Sequence, residues 1–244
     1  NDILLNLITC VLIIFGGLGF LVILDIIKKR SFKKLSMHSK VVITTTVTLL
    51  AVGTLLLKAT EDITWLGAFF QSVSARTAGF STYAIGDFTN AGLFVLCVLM
   101  FIGASPGSTG GGIKTSTFFV LFQAARSACV KKNVCAFRRS ISRQNISKAS
   151  MITVLSMMVV CVATFLLCVL EPDRTFIQVF FEVVSAFGTV GLSTGITPGL
   201  SVAAKIVIIF VMFIGRLGAF TLLTIWISHP EPKIRYSEEN IAIG

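Results

Sequence analysis

Two short stretches carry the residue types from which a binding site can be built: Thr77-Ala78-Gly79-Phe80-Ser81 and Thr189-Val190-Gly191-Leu192-Ser193. Both read Thr-x-Gly-x-Ser, and their threonines and glycines are 112 residues apart. Neither holds an acid, a base or a thiol, so their chemistry is that of the backbone. A dehydrated monovalent cation needs several oxygen ligands at once, and peptide carbonyls supply them without burying fixed anions. Glycine gives such a loop conformations closed to other residues. One copy alone reads as an ordinary helix C-cap glycine; two copies, each between apolar helices, point to paired filter loops. The cation would be held at Thr77, Gly79, Thr189 and Gly191, with Ala78, Phe80, Val190 and Leu192 completing the loops.

Such loops must be positioned by elements that reach membrane depth. Each follows an apolar stretch of helical length, Phe69-Phe70-Gln71-Ser72-Val73-Ser74-Ala75-Arg76 and Phe180-Phe181-Glu182-Val183-Val184-Ser185-Ala186-Phe187, and the two copies align apart from the extra Gly188. A helix from Thr64 to Arg76 spans only ~20 Å, against a hydrocarbon core of ~30 Å, so it enters and returns. Its C-terminal end directs the negative end of the helix dipole at the loop. Around the half-helices, residues 4–27 predict a first span, interrupted in character by Gly16-Gly17-Leu18-Gly19. Residues 41–57 lead to an external turn with Lys58, Glu61 and Asp62. Residues 88–125 form a long interrupted span, 149–170 lead to a second acidic turn at Glu171-Pro172-Asp173, and a half-helix from Thr175 to Phe187 precedes a last span from Val202 to Ile227. The fold class is an all-α polytopic membrane protein of repeated helix–pore loop–helix units with re-entrant half-helices.

Composition agrees. The chain of 244 residues is 55% hydrophobic and 13% charged, with a mean hydropathy of +0.90, which excludes an ordinary soluble domain. Its net charge of +10 is clustered: of 21 Lys and Arg, 6 lie in residues 28–40, 7 in 126–148 and 2 after Pro230. Clusters just beyond apolar spans mark the cytoplasmic side of a bilayer, and only Phe32 and Phe137 are interleaved among them for base stacking, so no nucleic acid is expected. A re-entrant rather than crossing Thr64–Arg76 segment puts both basic loops on that same side. The cysteines at 10, 97, 129, 135, 161 and 168 form neither a Cys-x-x-Cys pair nor a disulfide framework. The first apolar run has no basic leader and no small-residue cleavage site, so no cleavable signal peptide is expected.

The repeat register runs past the loops. Met100-Phe101-Ile102-Gly103 matches Met212-Phe213-Ile214-Gly215, again 112 residues apart. The first copy then continues Ala104-Ser105-Pro106-Gly107-Ser108-Thr109-Gly110-Gly111-Gly112-Ile113-Lys114. A proline and four glycines so close together exclude regular helix and predict an irregular loop at mid-membrane, below the filter. Two enzyme motifs are mimicked there. A phosphate-binding loop is spoiled by Ile113 between Gly112 and Lys114. Gly103-Ala104-Ser105-Pro106-Gly107 fits Gly-x-Ser-x-Gly, but a hydrolase needs a base at Ser105, and the two histidines, His38 and His229, belong to cytoplasmic segments. Arg216 is a cation at mid-span and needs a partner; the glycine-rich loop offers carbonyls, so Arg216 is either a latch on a gate loop or a brace. Arg76 is either a favourable charge at a half-helix C-terminus or an ion contact. Lys114 faces the inner mouth or a ligand, and Glu182 is expected to pair with a cation such as Arg76.

These residues resemble the Trk/Ktr/HKT potassium transporter superfamily, most closely its bacterial membrane subunits. The resemblance runs through Ile14-Phe15-Gly16-Gly17-Leu18-Gly19-Phe20, Leu35-Ser36-Met37-His38-Ser39-Lys40, Ala75-Arg76-Thr77-Ala78-Gly79-Phe80, Met100-Phe101-Ile102-Gly103, Ser105-Pro106-Gly107-Ser108-Thr109, Gly112-Ile113-Lys114-Thr115, Gly188-Thr189-Val190-Gly191-Leu192-Ser193-Thr194-Gly195 and Met212-Phe213-Ile214-Gly215-Arg216. It implies K+ as the transported ion, filter glycines at Gly79 and Gly191, and an intramembrane gate built from Ser105 to Gly112 with Lys114 and Arg216. It implies four units in a full chain. Residues 1–40 then correspond to the last helix of the second unit with a cytoplasmic loop, 41–148 to the third unit, and 149–244 to the fourth unit and the C-terminal tail, so the chain is expected to be an N-terminal truncation that does not conduct unaided. The resemblance further implies a homodimer in the plasma membrane lipid bilayer, with the basic loops and C-terminus cytoplasmic. A cytoplasmic ring of regulatory subunits of the KtrA/TrkA type would carry the nucleotide, this chain having no cofactor of its own. It leaves open a sodium-permeable relative in place of a K+-selective one. No enzyme activity is expected.

Overall fold

In the computed structural model, residues 3–130 and 134–218 are described. Nine α-helices lie among them: α1 Ile3–Leu18, α2 Phe20–Lys29, α3 Met37–Thr60, α4 Trp65–Ser74, α5 Asn90–Phe101, α6 Thr115–Cys129, α7 Arg143–Leu170, α8 Phe176–Gly188 and α9 Val202–Leu217. The α3–α4–α5 and α7–α8–α9 triplets repeat one plan: a long helix, a half-helix and a return. Helices α3 and α7 are apolar and, at 24 and 28 residues, long enough to cross a membrane. Helix α4 has 10 residues and α8 has 13, only ~15 and ~20 Å of rise. Hydroxyl residues mark where the chain turns into helices. Ser36, Thr64, Thr89, Ser142 and Ser201 each accept a backbone N–H of the first turn of α3, α4, α5, α7 and α9, and Thr175 forms a capping box with Gln178 on α8.

The half-helices sit in the middle. Phe181 and Phe187 of α8 are fully buried with Leu57 of α3, Leu96 and Met100 of α5 and Leu167 of α7, while Leu12, Phe94, Phe165 and Phe210 are exposed to the outside of the bundle. This inverts the soluble pattern, as expected where the surroundings are hydrocarbon. The ends at which α3 and α7 turn back are stapled alike in the two repeats. Glu61, at the C-cap of α3, accepts from the Thr89 amide at 3.0 Å and hydroxyl at 2.6 Å. Glu171, at the C-cap of α7, accepts from the Ser201 amide at 2.7 Å. That bond, aided by Arg174 and Lys205, holds the Glu171 carboxyl below its usual range. Sequence reading placed both glutamates in external turns and missed that each ties its long helix to the returning one.

The structure departs from the expected elements in two places. Residues 4–27 do not make one straight helix: α1 and α2 meet at 96°, because Gly19 has φ 81° and the 105–107 segment packs where its side chain would stand, with the Pro106 oxygen 2.8 Å from a Cβ at that position. The basic segment 126–148 contains a two-residue-per-strand hairpin, Cys135–Ala136 against Arg139–Ser140. The last span, drawn to Ile227, is described only to Gly218; its remainder, His229 and the C-terminal basic tail lie outside the described residues, as do Lys131 and Lys132.

Candidate functional site

Helix α4 ends at Ser74 and α8 at Gly188, so both half-helices deliver their C-terminal ends to the Thr-x-Gly loops. Each loop bonds back to its own half-helix. Ala78 and Gly79 N–H groups donate to the Ser74 carbonyl at 3.0 and 3.3 Å, and Val190 N–H to the Ser185 carbonyl at 2.9 Å. The Ser74 hydroxyl donates to the Phe80 carbonyl, and the equivalent Ser185 hydroxyl to the Leu192 carbonyl at 2.6 Å. These bonds occupy the Ala78, Gly79 and Val190 amides. Among the described residues no hydrogen bond ends on the carbonyl oxygens of Thr77, Ala78, Gly79, Thr189, Val190 or Gly191. Unpaired carbonyls at membrane depth are costly unless something else meets them.

The two loops lie side by side. A Cβ on Gly79 would collide with the Val190 carbonyl oxygen, and one on Gly191 would stand 3.8 Å from the Gly79 α-carbon. Thr77, Gly79, Thr189 and Gly191 all have positive φ, at 74°, 79°, 50° and 94°, the conformation that turns successive carbonyls out of a helical row. Behind the second loop, Glu182 is buried but does not pair with Arg76. Its carboxylate accepts from the Ser193, Thr194 and Thr197 hydroxyls at 2.6, 3.2 and 2.8 Å, and from the Thr194 amide at 2.9 Å. Serine and threonine donors within the same loop satisfy it better than a guanidinium on another element. In the first repeat the same position is Gln71, which donates to Ser81 at 2.6 Å.

Below the loops, residues 102–114 join α5 to α6 as an irregular looped segment, here called the hairpin, whose two ends run parallel at a bridge between Ile102 and Ile113. Its crest touches both threonines: a Cβ on Gly110 would meet the Thr77 hydroxyl, and one on Gly111 the Thr189 hydroxyl. The Thr189 hydroxyl is itself buried and unpaired. Arg216 donates to the Thr109 carbonyl and Lys114 to the Gly110 carbonyl at 2.5 Å, so both cations bind the loop's own backbone. Ser105 is fully buried; its hydroxyl donates to the Gly17 and Leu18 carbonyls at 2.9 and 2.5 Å, capping α1 rather than facing a base. Ser108 donates to the Ser105 carbonyl at 2.5 Å. Arg76, buried against the same hairpin, donates to the Gly103 carbonyl at 3.2 Å; it makes no contact with Glu182.

The sequence matches the TrkH family, described as cation transport protein, over residues 40–237. The chain belongs to that family. Within it, the chain is 42% identical to Ktr system potassium uptake protein B of Vibrio alginolyticus and 37% identical to that of Bacillus subtilis (strain 168), covering all of this chain and 57% and 58% of those proteins. It is also 37% identical to the potassium/sodium uptake protein NtpJ of Enterococcus hirae, over 58% of that chain. The chain thus spans less than two thirds of the length of these curated relatives. Its fold matches the crystal structure of the potassium transporter TrkH from Vibrio parahaemolyticus with a TM-score of 0.74 and 25% identity, over 93% of this chain and 53% of that one. A helical membrane protein of the TrkH family therefore accounts for the paired half-helices and loops.

Proposed function

We propose that this chain is part of a potassium-uptake subunit and conducts K+ through a filter to which the Thr77–Phe80 and Thr189–Leu192 loops contribute. The observation that carries the reading is the pair of facing loops with six unpaired carbonyl oxygens, set at the C-terminal ends of two half-helices. Residues 102–114 serve as the gate: the hairpin lies directly under Thr77 and Thr189, and Arg216 and Lys114 hold its backbone. Two loops form only part of a ring around an ion. Residues 41–148 and 149–244 are read as the third and fourth of four units, with 1–40 belonging to the second. The full protein works as a homodimer in the plasma membrane with residues 28–40 and 126–148 cytoplasmic, on a ring of nucleotide-binding subunits; relatives named for a Ktr system support a multi-component assembly. No enzymatic step is assigned, since the serine of the Gly-x-Ser-x-Gly stretch spends its hydroxyl on helix carbonyls.

The test is K+ uptake, with Na+ competition, in a K+-transport-deficient bacterium expressing the full-length parent with Gly79→Ser or Gly191→Ser. Lost K+ uptake or gained Na+ permeability in well-expressed protein is the expected result. Parental K+ transport in both variants would overturn the reading. A parent that carries Na+ as well as K+ would place the chain with its sodium-permeable relative.

A further inference from the structure

The two repeats differ in two ways at the same level. In the first, the returning helix breaks: α5 ends at Phe101 and the chain leaves helical geometry at Ile102, with φ −87° and ψ 84°. In the second, the matching Ile214-Gly215-Arg216 continues as helix to Leu217. The residue at the end of the half-helix differs as well. Arg76 in the first repeat corresponds to Phe187 in the second, where the ring packs 5.8 Å from that of Phe101 and the Phe187 backbone carbonyl lies against Gly215. An unbroken helix satisfies its own carbonyls, and an apolar residue can face it. A broken one leaves carbonyls that need donors.

The far end of the loop supplies two of them. Ile113 N–H donates to the Phe101 carbonyl at 3.1 Å and Thr115 N–H to the Ala104 carbonyl at 3.3 Å. The Gly103 carbonyl between them is met by Arg76 instead, at 3.2 Å. Arg76 is 6% exposed, and among the described residues the only ion pair is Lys29 with Asp25, so no carboxylate neutralises it. The side chain lines a small cavity of about 20 Å³ with Ile14 and Gly17 of α1 and Thr46 and Leu50 of α3. That position, against outer helices, fits neither a contact with an ion between the loops nor a charge serving only its own half-helix.

We propose that Arg76 is the positioning residue that fixes the root of the gate loop: through the Gly103 carbonyl it couples the first filter loop, which starts at the next residue, to the hairpin below. This rests on the reading of residues 102–114 as a gate and deepens it. Arg216 and Lys114 hold the crest, Ser105 ties the loop to α1, and Arg76 holds the point from which the loop swings. A charged hydrogen bond of this kind shifts an equilibrium between held and released loop by about tenfold or more.

The experiment measures K+ uptake by the full-length parent carrying Arg76→Met, Arg76→Gln or Arg76→Lys, each alone and with residues 108–110 deleted, normalised to protein in the membrane. Expected are a rise of about tenfold for Arg76→Met, a smaller rise for Arg76→Gln, and near-parental flux for Arg76→Lys, which keeps a cationic donor. Once the loop is shortened, Arg76→Met should add nothing, and K+ over Na+ preference should not change in any variant. Equal effects with and without the loop, altered ion preference, or Arg76→Lys behaving like Arg76→Met would overturn the proposal. So would failure of all three variants to reach the membrane, which would make Arg76 a requirement of the fold. Glycine-to-serine changes at Gly79 and Gly191 test the filter separately, so Arg76 can fail while the filter stands.

Discussion

Gly103 and Gly107 lie in the same candidate gate loop, yet the structure constrains them for different reasons. At Gly103 φ is not positive, so alanine is allowed by the backbone, but its Cβ would collide with the Gly111 carbonyl oxygen of the returning arm. That oxygen must retreat by about 1.5 Å to reach ordinary contact near 3.5 Å. The retreat pulls on the two bonds that close the hairpin, Ile113 N–H to the Phe101 carbonyl at 3.1 Å and Thr115 N–H to the Ala104 carbonyl at 3.3 Å. At about 0.5–1.5 kcal/mol each, their loss weakens the closed loop by ~1–3 kcal/mol, or about 5- to 150-fold in its equilibrium. Gly107 has φ 75°, and no atom lies within 4 Å of where a Cβ would stand. Asparagine, which visits left-handed backbone readily, should therefore be accepted there. Gly103→Ala should raise K+ uptake within that range and Gly107→Asn should stay within about twofold, both read in the full-length parent by tracer uptake at equal expression. A silent Gly103→Ala, or a Gly107→Asn with the larger effect, would show that closure does not depend on the two arms lying in contact.

Ser105→Ala should keep ion flux while lowering thermal stability by about 0.5–1.5 kcal/mol, since the Leu18 carbonyl at the end of α1 loses its donor while the Gly17 carbonyl keeps the Ser105 N–H; abolished flux with unchanged stability would instead give the hydroxyl a direct part in the chemistry. Glu171 offers a pH test. Its carboxyl is held low by the Ser201 amide, so its contribution is complete above the unfolded value near 4.3 and is lost as pH falls through the depressed folded value. Melting of the detergent-purified full-length parent between pH 6 and about 2 should fall more steeply than that of Glu171→Gln; parallel curves would remove the staple.

Much of this was legible because the signals are local and repeated. The 112-residue register, the short half-helices and the proline–glycine cluster at 106–112 each follow from helix rise, hydrocarbon thickness or backbone freedom. The partners of polar side chains were not legible. Glu182 was expected to meet Arg76, since opposite charges in hydrocarbon attract, yet each found hydrogen-bond partners nearer at hand: hydroxyls for the carboxylate, a helix-break carbonyl for the guanidinium. Arg216, given either as latch or as brace, reaches the loop's Thr109 carbonyl, a partner 107 residues away that no local pattern specifies.

The sequence by itself determined the class, the repeat, the two loops and the segment that cannot be helix, because each depends on residue type within a few turns of chain. Only the tertiary structure decided that the loops face each other at Gly79 and Val190, that the hairpin crest sits under both threonines, that the first span turns through 96° at Gly19, and that Arg76 answers the break in α5. Those facts depend on which backbone groups are left without partners once distant helices pack. That is a property of the assembled fold, not of any one segment.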